Sequence, residues 1–174
     1  MEINADYLIK SLNLKKHPEG GYFAEVYRSD ETIQENNLPE RYTGNRSFST
    51  SIYFLLESDD FSSFHKVNSD EIWHFYSGTP LTLFIINDEG ILEKIVLGNN
   101  PENDESFFAL IKKGQWFAAK TDQPDSFTLV GCTVAPGFDF EDFVLGDRMD
   151  LIKQFPQHKE IFTRFTKDDS EPLT

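Results

Sequence analysis

The sequence predicts a mainly β fold of the sandwich or barrel kind, with one helix before the strands and one or two short helices after them. Three observations lead there. From about residue 20 to about residue 145 the hydrophobic pattern has period two, turn signals recur roughly every ten residues, and no helical segments alternate with the strands. The last point argues against a doubly wound parallel sheet. Of 174 residues, 17 are Phe, and aromatics reach 14%, enough to fill a core in a chain whose length suits one compact domain. The expected organisation is a single domain over residues 1–166, with a helix at 4–13, the strands at about 20–145, C-terminal helices at about 147–165 and a frayed tail at 167–174.

Each element has a local reason. Ala5, Leu8, Ile9 and Leu12 recur at the helical period, and Asn4 stands where a side chain can cap the first turn. Asn13 and then His17-Pro18 end that helix, because a residue before proline avoids the helical region. Glu19-Gly20-Gly21 is a turn built on backbone angles that glycine reaches without strain. Tyr22 to Arg28 is a strand, and residues 30 to 45 form a polar loop. Ser47 to Leu56 is a strand with Phe48, Ile52 and Phe54 on one face. Phe61 to Val67 puts Phe61, Ser63, His65 and Val67 on one face and Ser62, Phe64 and Lys66 on the other. Asn68-Ser69-Asp70 is turn chemistry, Glu71 to Tyr76 is extended and aromatic, and Gly78-Thr79-Pro80 makes the next turn. Leu81 to Ile86 and Ile91 to Leu97 flank Asn87-Asp88-Glu89-Gly90, a hairpin signal. Phe107 to Ile111, Gln115 to Ala119 and Phe127 to Val134 complete the strands. Asp139, Glu141 and Asp142 alternate with Phe138, Phe140 and Phe143, which reads as a half-buried strand or turn with a solvated acidic face. Met149, Ile152 and Phe155 then fit one short helix, and Pro156 opens another carrying Ile161, Phe162 and Phe165.

Charge and composition exclude several function classes. Thirty acidic residues against 16 basic ones give a formal charge of -14, a surface that repels phosphate backbones, so no nucleic-acid partner is expected. No run of about 18 apolar residues exists to span a membrane, and MEINADYLIK lacks the basic and apolar segments of a secretory signal. The single cysteine, Cys132, makes neither an intramolecular disulfide nor a cysteine-based zinc site, and reads as a small buried hydrophobe. A cytoplasmic protein is expected.

Histidines and carboxylates are the candidates for chemistry. His17, beside a turn, and His158, on the C-terminal helix, read as surface residues. His65 and His74 lie in the densest aromatic stretch, Ser63 to Gly78. A hairpin at Asn68-Ser69-Asp70 would bring His65 and Glu71 together across two strands, where a carboxylate orients an imidazole and favours its charged form. His74 is three residues from Glu71 and faces the opposite way in a regular strand, unless a bulge intervenes.

This stretch resembles the first conserved motif of the cupin superfamily, a glycine, His-x-His, a glutamate and a closing glycine. His65 matches the first histidine, Glu71 the glutamate and Gly78 the closing glycine, whereas Val67 stands at the second histidine and Asp59 at the opening glycine. The second motif has its glycine at Gly114, with Phe117 at the histidine position. The likeness is closer to a subgroup of single-domain cupins of unassigned function. The shared runs are His17 to Phe23, Ser51 to Leu56, Asp70 to Gly78 and Val130 to Phe138, which cover most of the chain in order.

The resemblance implies a double-stranded β-helix, or jelly-roll barrel, assembled as a homodimer around a small-molecule pocket. Many cupins hold one divalent metal through three His and one Glu. Only His65 and Glu71 of that set are present here, so no cofactor is expected, and a divalent metal on those two residues is the alternative. Some sugar-nucleotide epimerases share the fold without a metal. On that pattern His65 is the base, Glu71 its orienting partner and Tyr53 or Tyr76 the acid, whichever faces inward. An anionic substrate would need Arg28, Arg46 or a lysine to offset the overall charge. The plainer alternative is a structural His65–Glu71 pair. The expected function is therefore binding of a small organic molecule, with metal-free isomerisation or epimerisation of a sugar-like substrate as its enzymatic form. The expected pocket is lined by His65, Val67, Glu71, Trp73, Phe75, Phe117 and Ala119, mostly apolar with a few convergent polar groups.

Overall fold

In the computed structural model, which describes residues 3–167, the period-two segments pair as antiparallel strands. These are β1 (Lys15–Lys16), β2 (Tyr22–Arg28), β3 (Thr32–Ile33), β4 (Arg46–Ser47), β5 (Thr50–Glu57), β6 (Ser62–Lys66), β7 (Asp70–Gly78), β8 (Leu81–Ile86), β9 (Leu92–Leu97), β10 (Phe108–Ile111), β11 (Trp116–Thr121), β12 (Phe127–Ala135) and β13 (Val144–Leu145). The helices are α1 (Ala5–Ser11), α2 (Arg148–Gln154) and α3 (Lys159–Arg164). Residues 168–174 of the expected tail lie outside the described residues, and Lys167 is placed, its Nζ donating to the Pro18 carbonyl at 2.7 Å. None of the described helices is long and apolar enough to cross a membrane.

One sheet runs β1-β2-β5-β12-β7-β10 and a second β13-β6-β11-β8-β9, the two layers of a jelly roll, while β3 and β4 pair apart as a two-stranded sheet. This partition corrects one sequence expectation. β6 and β7 are not a hairpin; they lie in opposite sheets. The turn between them is held from outside, since the Asn68 carbonyl accepts from Arg41 Nε at 2.8 Å and from the Tyr42 hydroxyl at 3.0 Å. Asn68 Nδ2 in turn donates to Asp142. Those long-range anchors carry the chain across the barrel, so His65 and Glu71 face each other from different walls.

The central core lies between the sheets and includes Phe54, Leu56, Trp73, Leu83, Ile85, Phe117 and Val130. The outer faces are covered too. Leu8 of α1, with Ala5, Ile9 and Leu12, packs on Leu55 and Leu129 of the six-stranded sheet, and Asn4 Oδ1 caps α1 by accepting from the Tyr7 N–H at 2.9 Å. Phe162 and Phe165 pack with Leu151 of α2 on Phe64, Phe84, Ile86 and Ala118 of the five-stranded sheet. β8 thus buries both faces, which explains its nearly continuous apolar run. Two apolar assignments fail. Phe48 falls in a break between β4 and β5, its N–H donating to the Glu31 carbonyl, and its ring is exposed. Met149 is exposed, because Leu151 with Ile152 and Phe155 forms the inward face of α2.

Of the strand or turn expected after β12, the structure takes the turn, with Asp142 off the solvated face. Asp139 caps a 3-10 turn at Phe140–Asp142, accepting from the Glu141 N–H at 3.0 Å. Asp142 points inward and accepts from Arg46 Nε at 2.7 Å and Nη2 at 2.9 Å, a bidentate pair with both side chains nearly fully buried. Glu141 is exposed and Asp139 half-buried. Removing one partner of a buried pair strands the other charge. Asp142→Ala is therefore expected to lose about 3–5 kcal/mol in urea unfolding, whereas Glu141→Ala should change stability by about 0–1 kcal/mol.

Candidate functional site

A cavity of about 190 Å³ opens at one end of the barrel. That is smaller than the roughly 300–1,000 Å³ of sites for drug-sized ligands. β2 supplies Phe23, Glu25 and Arg28, β5 supplies Thr50, Ile52 and Phe54, and β12 supplies Cys132 and Val134. His65 with Val67 comes from one wall, and Glu71 with Trp73 from the other. The turn before β2 adds His17 and Glu19, and the 138–143 segment adds Phe138, Asp139, Phe140 and Phe143.

The turn at residues 17–21 exists to turn Glu19 inward. Its closing bonds run from the His17 N–H to the Gly21 carbonyl and from the Gly20 N–H to the His17 carbonyl, both at 3.0 Å. Gly20 sits at φ +119°, where a Cβ would stand 2.0 Å from the Phe61 carbonyl oxygen, so only glycine fits. The Glu19 carbonyl accepts from the Ser63 N–H at 2.8 Å, which ties the turn to β6. The Glu19 carboxylate then accepts from Ser62 Oγ at 2.8 Å and lies 3.2 Å from His65 Nε2 and 3.3 Å from His17 Nδ1.

These contacts set the protonation states. Burial alone would raise Glu19, but the neighbouring His65 and His17 and the bonds from His17 and Ser62 hold it at about 2, so it is a carboxylate. His65 is lowered, because burial outweighs the pull of Glu19 and of the Ser63 carbonyl. Its Nδ1 meets that carbonyl at 2.7 Å and must carry a proton, which leaves Nε2, beside Glu19, as the atom that gains or loses one. Glu71 is pushed up to about 8, first by burial and then by the Glu19 charge, with Trp73 and Cys132 opposing. Burial and Glu71 raise the Cys132 thiol well above its ordinary value, so it is no thiolate nucleophile. Trp73 Nε1 is fully buried beside Glu71 without reaching hydrogen-bond geometry to any described residue.

Of the expected lining, His65, Val67, Glu71 and Trp73 face the cavity. Phe117 and Ala119 do not. Both are fully buried in the core, and Phe117 packs on His65 with centroids 4.1 Å apart. Phe75 packs against the same core. Neither tyrosine lines the cavity: Tyr53 and Tyr76 meet edge-on at the outer face of the six-stranded sheet, 6.0 Å apart, and Tyr76 is exposed. His74 also points outward, against Phe108, as a regular strand requires; the β7 irregularity lies further along, between its pairings with Leu129 and Val130. The partner of His65 is Glu19, not Glu71. His17 is no surface residue, because its side chain is only 7% exposed, edge-on to Phe23 at 4.7 Å. His158 is half-buried, its Nε2 donating to the Gly90 carbonyl at 2.9 Å.

The side chains present do not suit a divalent metal. Both His65 nitrogens are engaged, Val67 and Phe117 donate nothing, and no group of three or more His, Cys, Asp or Glu among the described residues is arranged to hold an ion.

A family model described as "Cupin superfamily (DUF985)", Cupin_5, matches residues 6–146. An uncharacterized protein of Saccharomyces cerevisiae, YML079W, is 32% identical over 144 residues, which cover 78% of this chain and 71% of that protein. Protein SO0799 of Shewanella oneidensis superposes with a TM-score of 0.87 at 37% identity, covering 97% of this chain and 100% of that one. A hypothetical protein from Leishmania major does so with 0.85 at 30% identity, covering 95% and 100%.

The two buried carboxyls give opposite pH dependences. Glu71 holds its proton to about 8 when folded but to 4.5 as an ordinary glutamate, so the folded chain loses stability as pH rises between those values. Glu19, held at about 2, contributes stability above 4.5 that is lost as pH falls below it. In urea unfolding, Glu71→Gln should gain stability relative to the parent from about pH 5 to about pH 8. A difference that stays constant across that range would contradict the raised Glu71.

Proposed function

The chain belongs to the Cupin_5 (DUF985) family of the cupin superfamily, and from that premise we propose that it binds a small organic molecule in the barrel cavity. The carrying observation is the lining, mostly apolar, with His65, Glu19 and Glu71 converging at one place. Apolar walls supply burial, and the few polar groups fix orientation.

A second reading, metal-free isomerisation, is favoured by one observation. Glu19 and His65 Nε2 lie 3.2 Å apart in the cavity lining, a pair that can pass on one proton, while the Ser63 carbonyl fixes Nδ1. In it Glu19 takes the orienting role first given to Glu71, and Glu71, protonated at neutral pH, replaces the tyrosines as the acid.

Native mass spectrometry of the purified protein tests the first reading. A small molecule carried by the parent chain should be missing from Ile52→Trp, which fills the cavity from β5. The same molecule on both proteins, or a thermal melt of the parent that no compound in a mixed-charge fragment set can shift, would argue against a cavity ligand. Solvent deuterium entering the carried molecule in the parent, and not in His65→Ala, would favour the isomerase.

A further inference from the structure

The charge balance of the cavity is lopsided. Its lining carries four carboxyl side chains, Glu19, Glu25, Glu71 and Asp139, against one guanidinium, Arg28. Arg28 is already committed, with Nε and Nη2 donating to Glu25 at 3.0 and 2.8 Å and Nη2 donating to the Phe138 carbonyl at 3.1 Å. Glu19 has two imidazoles beside it, His65 at 3.2 Å and His17 at 3.3 Å. Glu71 is the remainder. It is 7% exposed, and no cationic side chain among the described residues comes within ion-pair distance of it.

Burial and the Glu19 charge favour a neutral Glu71, but two groups beside it favour the charged form. The Trp73 indole N–H, otherwise orphaned, and the Cys132 thiol are both donors that favour a carboxylate there. What the protein does not supply is a counter-charge. Aromatic rings line the same cavity at steep angles to one another, Phe140 also packing on His17 and Phe143 on His65. Phe54 and Trp73 are 5.5 Å apart at 66°, Phe138 and Phe140 are 5.1 Å apart at 80°, and Phe140 and Phe143 are 6.2 Å apart at 77°. Ring faces carry negative potential, and several walls of them around one space attract an organic cation.

We propose that the cavity ligand is a small organic cation, a primary amine or quaternary ammonium, whose charge lies between Glu71 and the rings of Trp73, Phe138, Phe140 and Phe143. This rests on the binding reading above and is the alternative to Glu71 as an acid. The cation replaces the missing partner of a buried carboxylate, and its bound form lets Trp73 Nε1 donate to that carboxylate. The acidic mouth, Glu25 and Asp139, and the net charge of -14 draw the same class toward the opening and repel anions such as sugar nucleotides.

Calorimetric titration of the full chain, with EDTA present, against benzylamine, benzyl alcohol and benzoate separates charge from shape. Benzylamine should bind at least tenfold more tightly than benzyl alcohol, and benzoate more weakly than either. Glu71→Gln should remove that tenfold preference while benzyl alcohol binding is unchanged. Phe140→Ala, at an exposed ring whose loss spares the core, should reduce the preference even if Glu71→Gln does not fold. Equal or tighter binding of benzyl alcohol or benzoate overturns the cation and leaves the cavity reading standing. Binding of none of the three overturns the cation, and the cavity reading falls with it only if the purified parent also carries no molecule that Ile52→Trp lacks.

Discussion

The carboxylate of Glu19, buried at the mouth of the barrel, is the interaction on which the site depends. It leaves a turn that belongs to the six-stranded sheet and reaches the five-stranded one, where it meets Ser62 Oγ and His65 Nε2. The backbone of the same residue accepts from the Ser63 N–H. One residue thus ties the two sheets together where no strand pairing does, and fixes the imidazole. Its charge is also felt across the cavity, where it helps hold the Glu71 proton. Burial of an unpaired carboxylate would be costly, so Glu19, His17 and His65 form a unit in which each makes the burial of the others tolerable.

The opposite wall and roof follow from a second buried pair. Arg46 and Asp142 pin the segment that carries Phe138, Phe140 and Phe143 over the opening. Asp142 also accepts from Asn68 Nδ2, in the crossing that separates β6 from β7. The roof and the separation of His65 from Glu71 are therefore set by one ionic cluster outside the cavity. Apolar packing fills the barrel, but these polar ties decide which residues meet at its mouth.

Much of this was legible in the sequence, for physical reasons. Alternation with period two exposes strands, and Asn4 and Pro156 mark helix starts because capping and proline chemistry are local. Which sheet a strand joins is not local. The turn after β6 has ordinary turn composition, and only its contacts with Arg41, Tyr42 and Asp142 send the chain across the barrel. Glu19 was read as part of a turn, and a turn residue has no periodicity to reveal its direction. The run His17 to Phe23, on which the cupin resemblance partly rests, is a signal that could have drawn attention to it. The alternating phenylalanines at 138–143 were visible, but a 3-10 turn and a strand look alike over so few residues. Phe117 stands where the cupin motif has a histidine. Its actual work is to back the His65 ring from the paired position on β11.

The central claim is that Glu19, and not Glu71, governs His65. Nitrogen-15 NMR titration of the His65 ring tests it most directly. In Glu19→Gln the ring should lose its proton at a lower pH than in the parent, because the attraction that opposes burial is gone. In Glu71→Gln the titration should move little, and Nδ1 should stay the protonated nitrogen. A ring that responds to Glu71→Gln and not to Glu19→Gln would contradict the account.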